Sequence, residues 1–192
     1  MRKPIITILL TAFLAVMFFR VPAFAGDLVL SSEYHPVGTE ETFPDVLNIG
    51  TGIECGDLTI KLTFQPILTR SGHGIISDQD TRYLVIRLSI TNGGEETVGW
   101  LTSDSFSVEE TYLNQIYGTY RLNTIMSAKM ASGYHLPAFF TSIAPGKTVQ
   151  TVLVFSVYPD VSSWILNIAP RETGETEAQS SVRFQLPKAL VQ

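Results

Sequence analysis

Between Arg82 and Thr91 the chain alternates without a break, Leu84, Ile86, Leu88 and Ile90 falling on one side and Tyr83, Val85, Arg87 and Ser89 on the other. A period of two sends successive side chains to opposite faces of an extended backbone, so this stretch reads as a β-strand with one buried and one wet face. The pattern recurs in Asp57–Gln65, where Leu58, Ile60, Leu62 and Phe64 oppose Thr59, Lys61, Thr63 and Gln65. It returns through Trp164, Leu166 and Ile168 in Trp164–Ala169, and through Val182, Phe184 and Leu186 in Ser181–Leu186. Thr148–Val157 departs from it, because Val152 and Val154 oppose Val149, Leu153, Phe155 and Val157. That composition reads as a central strand covered on both sides. Shorter strands are expected at Leu28–Ser31, Ser105–Glu109 and Tyr112–Arg121.

The connections carry turn chemistry. Asn92-Gly93-Gly94 and Pro145-Gly146 tolerate turn dihedrals, and Ser71–Thr81 and Arg171–Ser180 read as polar loops. Only Leu122–Tyr134 has helical character, ended by Gly133 and Pro137. Strands joined by such loops, with one helical excursion, predict an all-β fold, an immunoglobulin-like antiparallel β-sandwich of about 7–8 strands. The sandwich is expected over residues 56–192. Residues 26–55, interrupted by Pro36, Gly38, Pro44, Gly50 and Gly52, are expected as an extended arm or edge strand, with the alternative of a mobile leader.

Arg2 and Lys3 precede an apolar run from Ile5 to Phe19, and Ala23-Phe24-Ala25 closes the segment. A basic start, a short apolar stretch and an A-x-A ending describe a cleavable signal peptide over residues 1–25. The expectation is therefore a secreted or periplasmic protein with no integral membrane segment after cleavage. Losing Arg2, Lys3 and Arg20 would move the net charge from −5 to about −8. Nucleic-acid binding needs a basic footprint to displace counterions, and this balance excludes it. The lone cysteine, Cys55, allows no intramolecular disulfide; it reads as a buried apolar residue or as a thiol free to pair between chains.

Motifs for catalysis are missing. Pro145-Gly146-Lys147-Thr148 ends like a phosphate-binding loop, but Thr141 stands where that loop needs glycine, and a strand follows instead of a helix. His35, His73 and His135 lack zinc-ligand spacing, and neither G-x-S-x-G nor S-x-x-K occurs. No catalytic residue and no cofactor is assigned. Two sets of residues stay open for binding. Asp78 and Asp80 could offer carboxylates to a cation such as calcium, with Ser77 and backbone oxygens beside them. Trp100, Tyr112, Tyr117, Tyr120 and Tyr134 gather in the middle third and could form a binding face; Phe139 and Phe140, just before a strand, read as core.

Three segments carry a family likeness: Gly56–Leu62, Tyr83–Asn92 with Ser105–Val108, and Ile143–Thr148 leading into Val152–Val157. Together they resemble a group of bacterial secreted proteins and lipoproteins of unknown function with an immunoglobulin-like, telokin-like sandwich. The resemblance implies an extracytoplasmic, non-enzymatic module without shared catalytic residues. Members are commonly lipid-anchored through a Cys at the cleavage point; this chain has none there, which favours free secretion or periplasmic residence. The functional expectation is an exported interaction module that binds a protein or a cell-envelope component. The competing readings are a small-ligand or calcium carrier and, third, an uncharacterised hydrolase.

Overall fold

The chain forms β1 (Gly52–Cys55), β2 (Leu58–Leu62), β3 (Ile67–Thr69), β4 (Ser71–Gly72), β5 (Ile75–Ile76), β6 (Arg82–Asn92), β7 (Phe106–Tyr112), β8 (Gln115–Arg121), helix α1 (Thr124–Gly133), β9 (Thr148–Val157), β10 (Ser163–Ile168), β11 (Val182–Gln185) and β12 (Leu190–Val191). This computed structural model describes residues 43–192 except 100, 113–114, 159–162, 173, 176 and 179. The expected leader, the strand at Leu28–Ser31 and Trp100 lie outside the described residues.

In the first sheet β6 is the axis. Its whole length pairs antiparallel with β9, from Arg82↔Val157 to Thr91↔Thr148. Its other edge is shared by β2, against Leu88–Asn92, and by β3, against Tyr83–Val85. β1 pairs outside β2, and β12 lies parallel to β3. The second sheet runs β11-β10-β7-β8, antiparallel throughout. The β12–β3 pairing and the Val46↔Gln185 bridge are parallel and depart from the antiparallel expectation; β12 covers the edge of β3 that faces away from β6.

The inward faces follow the alternation. Leu84, Ile86 and Leu88 are fully buried and Ile90 nearly so, facing Phe106, Val108, Trp164, Leu166, Ile168 and Phe184 of the second sheet. Burying a side chain of this size contributes about 1.5–3 kcal/mol over leaving it in water, so this layer fixes the register. The fold is a two-layer β-sandwich with one helix.

The outward face of β6 is not wet, as alternation alone predicts. Tyr83 and Val85 are buried with Val152 and Val154 beneath Met126, Met130 and Ala131 of α1. The helix makes a third layer over β6 and β9, which explains why β9 is apolar on both faces. β9 itself lies at the margin of its sheet, not at the centre, and the start of α1 meets its outer edge. The loop expected over Ser71–Thr81 contains the hairpin β4–β5, whose two-residue strands are too short to show a period. Of the arm, residues 45–47 lie against β11, Leu47 N–H reaching Gln185 O and Gln185 N–H reaching Asp45 O. That covers the edge of the second sheet. Among the described residues no helix is long and apolar enough to cross a membrane.

Candidate functional site

The β7–β8 hairpin is irregular near its tip. Glu110 pairs with Gly118 and Thr111 with Ile116, so Tyr117 is an extra residue in β8. Such a bulge turns a side chain out of the regular pleat. Tyr112 is 51% exposed and Tyr117 58%, and their rings meet edge to face at 6.1 Å between centroids. Half-buried Tyr120 donates its phenolic hydrogen to the Glu110 carboxylate and packs edge-on, at 6.4 Å, against exposed Tyr158 just beyond β9. Burial foremost, then the hydrogen bond to Glu110 and its charge, raise the Tyr120 hydroxyl well above its ordinary pKa; a backbone hydrogen bond at Tyr158 acts in the opposite direction. Tyr120 therefore stays a neutral donor. The arrangement sets the Tyr120 and Tyr158 rings beside the Glu110 carboxylate.

Tyr134 belongs to a different surface. It follows α1 on the outer face of the first sheet, where the Arg87 guanidinium lies 4.0 Å from the Phe64 ring centroid and 4.9 Å from that of Tyr134. His73, at the tip of the β4–β5 hairpin, meets Tyr134 edge-on at 4.6 Å. Asp78, Gln79 and Asp80 are exposed on the turn before β6. The Ser77 hydroxyl, a candidate ligand beside them, instead donates to Thr81 O at 2.9 Å. Among the described residues no three His, Cys, Asp or Glu side chains converge to hold a metal ion. The Asp78 charge adds to burial in raising the Tyr83 hydroxyl pKa.

The structure thus pairs Tyr112 with Tyr117, sets Tyr120, on the same hairpin, against Glu110 and Tyr158, places Tyr134 apart and leaves Asp78 and Asp80 as a two-carboxylate turn. Glu110 shares the parity of Phe106 and Val108 and so points to the inward side. Of Phe139 and Phe140, Phe139 is buried against Phe106, while Phe140 is 38% exposed.

No family model and no curated protein matches the chain. Solved structures of bacterial proteins do resemble it. A candidate lipoprotein of Bacillus subtilis superposes with a TM-score of 0.49 at 18% identity, over 72% of this chain and 38% of that one. The yjhA protein of Bacillus subtilis gives 0.48 at 15% identity, over 74% and 100%. An uncharacterized β-sandwich protein of Clostridium difficile gives 0.44 at 17%, over 80% and 100%. The chain spans less than half of the first of these.

Proposed function

We propose that this chain is an extracytoplasmic, non-enzymatic interaction module of immunoglobulin-like type, which binds a protein or a cell-envelope component through the tyrosine end of the β7–β8 hairpin. The Tyr112–Tyr117 pair carries the reading. Two large rings, each more than half exposed, sit on a hairpin paired to the rest of its sheet, so little conformational entropy is lost when they are covered. Aromatic side chains of this kind dominate binding energy where they reach a pocket on a partner. Export is supported by the basic, apolar and A-x-A order of residues 1–25, and the acidic balance argues against nucleic acid as the partner.

Affinity capture from the envelope fraction of the producing organism tests it. Wild-type protein is expected to retain a reproducible component that Tyr112→Ala/Tyr117→Ala loses and Tyr134→Ala keeps. Identical retention by all three proteins would remove the hairpin from the binding face.

A further inference from the structure

Arg87 stands on the outward face of β6 where the cover of α1 ends. Val85, two residues before it, is buried under the helix, whereas Gln150, across from Ser89, is exposed. Backbone bonds bring two rings to the guanidinium. Thr63 N–H reaches Arg87 O at 3.0 Å and so sets Phe64 beside the strand; Tyr134 is fixed at the end of α1 by its own N–H, 3.0 Å from Met130 O. With the ring centroids of Phe64 and Tyr134 at 4.0 and 4.9 Å, the cation is stacked and its orientation restrained. Its nitrogens then differ in access. Nε is shielded and has no acceptor, but the terminal nitrogens are not shielded and likewise make no hydrogen bond to the described residues. Other arginines are engaged: Arg183 by Glu109 at 2.6 Å and Asn167 at 2.9 Å, Arg82 by Thr81 O at 2.8 Å. Acidic residues outnumber basic ones 18 to 13 in the chain, yet among the described residues none pairs with Arg87. The Tyr134 hydroxyl and the exposed His73 imidazole, in the same patch, also lack hydrogen-bond partners among the described residues.

We infer that the terminal edge of Arg87, stacked against Phe64 and Tyr134, binds an oxyanion, the carboxylate or phosphate group of a ligand. The two terminal nitrogens present parallel N–H donors, the fork that two oxygens of one anionic group match. Stacking holds the fork in place before the ligand arrives, so little side-chain entropy is lost on binding. Phe64 is 51% exposed, which leaves the patch open to solvent. The site is separate from the Tyr112–Tyr117 face and does not rest on it.

The test follows the Arg87 Nε–H signal in ¹H–¹⁵N spectra of the whole protein, assigned through its loss in Arg87→Lys; shielding of Nε slows exchange of its proton and keeps the signal visible. Inorganic phosphate and acetate are titrated separately against sodium chloride at matched ionic strength. At least one of the two is expected to shift the signal saturably, and chloride is not. Saturation by phosphate alone marks a phosphorylated ligand, and by acetate alone a carboxylate ligand. Arg87→Lys keeps the charge but loses the fork, and should weaken the saturating anion roughly tenfold, read at the Tyr134 backbone amide. Phe64→Leu, which removes one stacking ring, should weaken it roughly threefold. An equal shift from chloride, a shift that never saturates, or undiminished affinity in either variant would overturn the assignment. Phe64 lies at the surface, so its variant decides the matter even if Arg87→Lys does not fold.

Discussion

The Ser127 hydroxyl accepts the backbone N–H of Val154 at 2.9 Å, and through that bond α1 closes the outer edge of β9. The same hydroxyl donates to Asn123 O at 2.8 Å, while Asn123 N–H reaches Val154 O at 2.8 Å. Both polar backbone groups that Val154 turns away from β6 are thereby satisfied. Asn123 also caps the helix, its side-chain oxygen accepting Met126 N–H at 3.1 Å. One turn of helix thus begins α1, anchors it and removes an exposed strand edge, a feature that otherwise invites pairing between chains.

Ser127→Ala should therefore cost far more than a typical surface serine change. Ser127 is fully buried, and alanine leaves the Val154 N–H without a partner. The expected loss is about 1–3 kcal/mol, read as a lower urea midpoint, with an increased tendency to aggregate as the β9 edge opens. An unchanged midpoint would show that the helix is held by Met126 and Met130 alone.

Such edge chemistry marks the limit of what was legible in the chain. The long strands were readable because Leu84, Ile86, Leu88 and Ile90, and likewise Leu58, Ile60 and Leu62, recur with a period of two, and β9 because valines on both faces demand two covers. Which body supplied the second cover was not readable. Ile125 is 68% exposed while Ser127 is buried, so α1 lacks the clean apolar stripe that would have revealed its docked face. The tyrosines were visible as a composition, but their grouping depends on the bulge at Tyr117 and on Tyr134 lying beyond another element.

Asn92 should be among the least replaceable polar residues. It is fully buried; its amide donates to Glu96 O at 2.7 Å and Ile143 O at 2.9 Å, and its side-chain oxygen accepts Gly94 N–H at 2.9 Å. The turn after β6 and the approach to β9 are tied together there. Asn92→Leu strands Glu96 O and Gly94 N–H and leaves Ile143 O to the Val98 N–H alone, with an expected loss of about 2–3 kcal/mol in urea unfolding. Asn92→Asp should fare no better at neutral pH, because a carboxylate would face two carbonyl oxygens.

The raised pKa of Tyr120 fixes the sign of an alkaline effect. An unfolded chain releases this proton near the ordinary value of 10.0, whereas the folded chain holds it to higher pH. Above that value the native state binds more protons than the unfolded one, so stability falls as pH rises. The contribution of Tyr120 is complete below the ordinary value and shrinks above it. Urea midpoints of wild type and Tyr120→Phe should therefore converge between pH 8 and about pH 11. A gap that stays constant would mean that Glu110 does not hold the proton.

Cys55 should be silent to thiol reagents in the native protein. It is 3% exposed, its sulfur lying 3.8 Å from Ile168 O and 3.5 Å from Ser180 Oγ, where β1 meets the second sheet. Of the two readings open at the outset, burial is the one its position supports. A bulky disulfide reagent should label it only in denaturant, and non-reducing electrophoresis should show monomer. Rapid native labelling would contradict the packing of β1.

Gly133→Ala reverses an ordinary expectation. Alanine in place of glycine within a helix normally adds about 0.5–1 kcal/mol. A Cβ at Gly133, however, would stand 2.2 Å from His73 Cγ, so the hairpin carrying His73 must move. Displacing it also breaks the edge-on contact of His73 with Tyr134. The single variant should gain nothing or lose stability, and proteolysis should quicken between Arg70 and Ser77. In a His73→Ala background the same substitution should recover the usual gain, and this double-mutant cycle isolates the contact. Additive effects in the cycle would mean that the hairpin does not rest on the end of α1.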